Sequence, residues 1–263
     1  CDALFTAIPD SNFEQALIDL GIDTNPTPDG QVLTADIEGV TNLDVNNKNI
    51  SDLTGIEGFI ALTDLRCALN QLTSLDVSNN IALINLNCTF NQLTSIDVRN
   101  GNNTDIIIFR VGANPDLTCI FVDDVSYSDA NWTDIDPASN LVADEAECDA
   151  LFTAIPDSNF EQALINLGID IHPTPDGQVL TANIEVVTSL DIINKNISDL
   201  TGIEGFIALN ILNCQNNQLT SLDVSNNLGL TELRIFNNQL TILDISNNSA
   251  LELLSCQNNQ LTS

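Results

Sequence analysis

"NQLTSLDVSNN", Asn70 to Asn80, returns letter for letter at Asn217 to Asn227. An identical stretch 147 positions further on marks a duplicated unit, and internal repeats decide the fold of a 263-residue chain before any other feature. The duplication is wider than the quoted stretch. Residues 1–80 align without a gap on 148–227 and differ at about thirteen positions.

A shorter period runs inside the long one. Leu62, Leu65, Cys67, Asn70, Leu72, Leu75 and Val77 set a register that Leu83, Leu86, Cys88, Asn91, Leu93, Ile96 and Val98 repeat 21 residues later. A stretched copy follows at Ile106, Phe109, Val111 and Asn114. The second block carries Leu209, Leu212, Cys214 and Asn217, then two further copies ending at Asn238 and Asn259. This is L-x-x-L-x-(L/C)-x-x-N, the leucine-rich-repeat pattern. Leu-x-Cys alternation turns two side chains inward from a short strand. The following Asn suits the corner where the chain leaves that strand, its amide satisfying turn backbone and laddering between coils. One coil cannot bury its apolar side alone, so coils must stack.

Leu72-x-x-Leu75-x-Val77-x-x-Asn80 repeats the spacing of Leu62 to Asn70 within the same coil. Each coil is therefore predicted to carry a strand on both sides. The fold class is a repeat solenoid, mostly β, with parallel strands on both sides of each coil and short helical caps. The first unit is 1–147: cap and irregular coils over 1–61, repeats over 62–125, and a linker or C-cap over 126–147. The second is 148–263: cap and irregular coils over 148–208 and truncated repeats over 209–263.

Ile-Pro-Asp-Ser-Asn-Phe-Glu-Gln-Ala-Leu-Ile precedes each array, at 8–18 and 155–165. Asp10 or Ser11 is an N-cap, Glu14 a capping-box partner for Ser11, and Phe13, Ala16, Leu17 and Leu20 an apolar stripe. A short helix is expected to close the solenoid end. Cys67, Cys88, Cys214 and Cys256 take inward repeat positions and read as buried hydrophobes. Cys119 and Cys148 bracket the segment between arrays and are expected to form a disulfide. Cys1 is the counterpart of Cys148, and its expected partner lies in an upstream unit, which points to an oxidising exterior. The chain stops partway through a repeat and contains no Met, so it reads as an excerpt of a longer one.

"IPDSNFEQALIDLGID", "ISDLTGIEGF", "NQLTSLDVSNN" and "DLTCIFVDDVSYSDANWT" together resemble extracellular leucine-rich-repeat proteins of the Bacteroidetes, of flavobacterial type with nested 21-residue repeats. The resemblance covers essentially the whole chain. It implies secretion to the cell surface or medium and a binding or adhesive role.

Charge narrows the partners. There are 37 acids against 6 bases, a net charge of −31. Nucleic acid needs clustered Lys and Arg and is excluded as a partner. An anionic membrane surface is disfavoured for the same reason, and no apolar run approaches the length of a membrane span. The only His is His172, in a Pro-flanked loop where it reads as a surface residue, and neither a Cys/His zinc spacing nor a phosphate-binding Gly loop is present in the sequence. The chain reads as non-enzymatic.

Comparison of the two blocks points to a face. Asp64, Arg66 and Ala68, read as outward, become Ile211, Asn213 and Gln215, while the inward Leu and Cys are unchanged. Asn85, Asn87, Glu232, Arg234, Phe236 and Gln257 extend that face over later coils. Amides with a few charges and an aromatic suit an extracellular protein or polysaccharide. The second strand instead repeats Asp76, Asp97, Asp223 and Asp244 outward. Neighbouring carboxylates about 5 Å apart repel, and calcium is the cation that would bridge them; hydration beside Ser and Thr is the plainer reading. Asp23 to Gly30 loosely resembles a calcium loop, but His172 replaces Asn25 in the second copy. Two functions follow: an adhesion or binding module using the first-strand face, or a structural spacer rod stiffened by calcium and built from further copies of the unit.

Overall fold

The computed structural model describes residues 5–262. Cys1, expected to pair upstream, lies outside the described residues. The chain forms two compact units, Cys1–Cys148 and Asp149–Ser263. The division falls one residue later than the sequence repeat sets it and leaves Cys148 in the same unit as Cys119, to which it is bonded.

Each unit opens with its cap. In the first, strands Phe5–Ala7 and Gln31–Leu33 pair antiparallel around the helix Ser11–Asp19. Asp10 is the N-cap, one oxygen accepting from the backbone of Asn12 and Phe13 at 2.8 and 3.0 Å. Its other oxygen accepts from Ser51 N, Ser51 Oγ and Asp52 N at 2.8, 2.7 and 3.1 Å. One carboxylate thus ends the helix and ties it to the first coil. With the N-cap at Asp10, Ser11 lies inside the helix and the expected capping box does not form. Glu14 turns instead to the backbone N–H of Asp29 and Gly30, at 2.7 and 2.8 Å. Phe13, Ala16 and Leu17 are buried, whereas Leu20 sits at the C-cap, leaves the stripe and is 48% exposed. Asp157 and Glu161 repeat these contacts with Ser198, Asp199, Asp176 and Gly177.

In the first unit Asn42–Asp44, Asp64–Arg66, Asn85–Asn87 and Ile108–Arg110 form one parallel sheet. Leu43, Leu65, Leu86 and Phe109 stand in register and point inward. The opposite side is a second parallel sheet of Ser74–Asp76, Ser95–Asp97, Cys119–Phe121 and Asn140–Val142. Register steps by 21 from Asp64 to Asn85 (85 − 64) but by 23 from Asn87 to Arg110 (110 − 87). The turn Asn103–Asp105 lies in that wider step.

The second unit repeats the first-strand sheet with Ser189–Asp191, Ile211–Asn213, Glu232–Arg234 and Leu253–Ser255. Its other side departs from expectation. Among the described residues it holds a single bridge, Asp223 with Asp244, not a sheet. Among the described residues two coils reach that side there, against four strands in the first unit, and an isolated pair of short strands is marginal.

The corners confirm the role read for Asn. Asn91 Nδ2 donates to Cys67 O and Cys88 O at 3.1 and 2.9 Å, and its Oδ1 accepts from Leu72 N at 3.1 Å. Asn238 does the same with Cys214 O, Ile235 O and Leu219 N. At the far corner Asn80 and Asn227 donate to Ile56 and Phe59, and to Ile203 and Phe206.

The first unit closes itself. Trp132 stacks on Phe109 with ring centroids 4.0 Å apart. Arg99 pairs with Asp97 at 2.6 Å and Glu145 at 2.7 Å and lies over the Phe121 ring. Cys119 and Cys148 form the expected disulfide, although Cys119 occupies a regular strand position in register with Ser95. Cys67, Cys88 and Cys214 are buried and unpaired. Burial pushes the Cys67 thiol up to about 12 and raises Cys88 and Cys214 as well, which leaves them unreactive.

Candidate ligand-binding face

The outward residues of the first unit's first-strand sheet form a shallow concavity of about 300 Å³, lined by Asp64, Arg66, Asn85, Asn87, Ile108 and Arg110. Strand alternation puts two of these on each coil. Asp64 is largely covered: it takes Arg66 Nε at 3.0 Å and the Asn85 amide at 3.2 Å. Arg66 itself stays half exposed, as does Arg110, whose nearest acid is Asp134 at 3.7 Å. The pair Asp64–Arg66 therefore offers its guanidinium to solvent and hides its carboxylate.

Four of the expected residues, Asp64, Arg66, Asn85 and Asn87, meet on this concavity. In the second unit Asn213, Glu232 and Arg234 share the equivalent face, with Arg234 held by Glu232 at 2.6 Å. Gln257 is exposed. Gln215 and Ala68 correct the reading, because both are buried, at 8% and 6% exposure. Their column lies past the strand, where the chain turns into the corner and the next coil covers it. Phe236, in the same column, is half-buried. Ile108 and Arg110 belong to the face but were missed. Phe109 and Val111 as inward positions were the signal for them, masked by the two extra residues in that step.

A second omission lies along the edge of the face. The corner residue of each coil takes a left-handed backbone: Asn47, Leu69, Phe90 and Ala113 in the first unit, Asn194, Asn216, Asn237 and Asn258 in the second. In the second unit these side chains join, Asn237 Nδ2 donating to Asn216 Oδ1 and Asn258 Nδ2 to Asn237 Oδ1 at 2.7 Å.

The Asp row stands side by side as expected, Asp76 with Asp97 and Asp223 with Asp244. Each carboxylate also accepts from the backbone two residues on: Ser78, Arg99, Ser225 and Ser246. Hydrogen bonds from the hydroxyl and N–H of Ser225 hold Asp223 below the usual carboxylate range, and the N–H and hydroxyl of Ser246 do so for Asp244. Among the described residues no three His, Cys, Asp or Glu side chains are grouped to hold a metal ion. His172 lies in its loop, its Nδ1 2.6 Å from Thr174 O.

Stacked 21-residue coils, an inward Leu register and a buried Asn ladder define a leucine-rich-repeat solenoid. No protein-family model matches the chain. A stretch of 41 residues is 49% identical to internalin J of Listeria monocytogenes serotype 4b (strain F2365), covering 16% of this chain and 4% of that protein. The solved functional domain of internalin J from Listeria monocytogenes, which includes a cysteine ladder, aligns over 98% of this chain and 49% of its own, with 25% identity and a TM-score of 0.37. Internalin C2 from the same species aligns over 99% and 91%, with 18% identity and a TM-score of 0.31. The chain spans about half the length of the internalin J domain it matches. No helix among the described residues is long and apolar enough to cross a membrane.

Proposed function

We propose that this chain is a non-enzymatic extracellular binding or adhesion module that presents its first-strand face to a protein or glycan ligand. One observation carries the reading. Five of the thirteen differences between residues 1–80 and 148–227 fall at 63, 64, 66, 68 and 69. Exposure alone does not put them there. Gln71, Thr73, Ser74 and Asp76 on the second strand are exposed too, and none of them differs from its counterpart. Five differences gathered within seven residues, around an unchanged Leu65 and Cys67, are what selection for different contacts produces. Scarce cations support it: Arg66, Arg110 and Arg234, half of the six basic residues, lie on first-strand outward positions. The Cys119–Cys148 disulfide supports an oxidising exterior.

The test is an array of glycans and extracellular matrix proteins probed with the whole chain and with an Arg66→Ala, Arg110→Ala variant. Loss of roughly tenfold in affinity at unchanged melting temperature is expected, the removal of about 1.4 kcal/mol of contact. Binding indifferent to both arginines, or no binding at all, sinks the reading.

A further inference from the structure

Leu69 and Phe90 take left-handed backbone, φ 59° and 57°, while 55% and 60% exposed. Neither fact suits the fold. Left-handed backbone strains an L-residue, a strain that Asn relieves by hydrogen-bonding locally. The second unit uses Asn at every described position of this row and gains a side-chain ladder. The first unit uses Asn only at Asn47. Leu69 and Phe90 follow Arg66 and Asn87 by three residues each, so they sit at the corners just beyond two strands that line the concavity, on adjacent coils.

We infer that Leu69 and Phe90 are the anchors by which the first unit's face holds a protein partner. The partner presents apolar side chains flanked by carboxylates. Resting on the binding reading above, this assigns binding to the first unit and narrows the ligand to protein. Strained apolar residues left more than half exposed beside a concavity become buried when a partner covers them, which offsets the strain. Charge selects the flanking groups. Arg66 and Arg110 project from the concavity with their guanidinium groups half exposed, against a chain of net charge −31. A carboxylate is drawn there and repelled from the rest of the surface, which fixes both register and face.

The probe is a phage-displayed library of random peptides selected on the whole chain. Enriched peptides should combine aromatic or aliphatic residues with Asp or Glu. They should bind a Leu69→Asn, Phe90→Asn variant at least roughly tenfold more weakly, while that variant melts at the same temperature or a few degrees higher. A variant that melts lower overturns the inference, because the side chains then serve the fold. Undiminished peptide binding overturns it too. If such peptides still fail on Arg66→Ala, Arg110→Ala, the face reading survives and only the anchors are lost. Indifference to both variants removes both readings, and so does a selection that enriches nothing.

Discussion

Ser74–Asp76 is a strand in a four-stranded sheet, whereas Ser221–Asp223, inside an identical eleven-residue sequence, contributes only one bridge. The local sequence is the same, so the difference comes from the neighbours. In the first unit Ser95–Asp97, Cys119–Phe121 and Asn140–Val142 continue the stack, and a disulfide and the Arg99 clamp fasten its end. Among the described residues of the second, one further coil reaches that side. A strand in a solenoid is thus a property of the stack, as expected where each repeat is stabilised only by its neighbours.

Removing the fastening should make the first unit's second side behave like the second unit's. A Cys119→Ser, Cys148→Ser variant releases a loop of separation 29, worth about 3.6 kcal/mol in the chain-entropy account. The first unit should melt lower while the second is unmoved. Amide exchange at Leu75 and Asp76 should approach the rate at Leu222 and Asp223. Exchange at Leu75 that stays slow after the bond is lost would show that the disulfide does not hold this sheet.

The shared ladder gives the control. Asn91→Ala and Asn238→Ala each strand one backbone donor and two carbonyls at a buried corner. Each should cost about 2–3 kcal/mol in urea unfolding, with equal effect in the two units. A twofold difference between them would break the claim that the units share a core down to single hydrogen bonds.

Those corners were legible because burial and hydrogen bonding constrain residue identity at fixed spacing. Inward Leu five positions before Asn, and Cys, Val or Ile three positions before it, left little freedom. The strand state of Ser221–Asp223 was not legible, because nothing local distinguishes it from Ser74–Asp76. Gln215 was misread for a related reason: alternation places outward side chains only while the chain stays extended, and it turns one residue earlier. Leu69 and Phe90 escaped notice since positive φ leaves no mark in an amino-acid sequence unless Asn or Gly occupies the site. With Asn at 216 and 237, comparison of the copies held that mark.

Transplanting the first unit's corner onto the second measures what the exchange costs. Asn216→Leu with Asn237→Phe puts both side chains on left-handed backbone and removes the Asn216–Asn237–Asn258 ladder. A loss of about 1–2 kcal/mol per site is expected by urea unfolding of the second unit. A neutral result would mean that corner identity is free to drift.

The smallest effect separates the caps by pH. Burial, reinforced by the nearby Asp176 charge, raises Asp170 and Glu161 above their ordinary carboxylate values. A carboxyl raised in the folded state contributes stability that is fully present below its unfolded value, 3.8 for Asp170 and 4.5 for Glu161, and lost as pH rises through the folded one. Asp10 and Asp157 act oppositely. Burial raises them, but the combined hydrogen bonds of Ser51 and Ser198, and of the helix N-termini, outweigh it, so both are lowered and their contribution fails only in stronger acid. As pH falls through the raised folded values towards the unfolded ones, the second unit should therefore gain stability from these two groups. Asp170→Asn should flatten that gain by roughly 1–2 °C in melting temperature. His172, 3.7 Å from Asp176, remains in the variant, so the difference isolates Asp170. An unchanged slope would show that Asp170 meets enough solvent in its loop to titrate as it does unfolded.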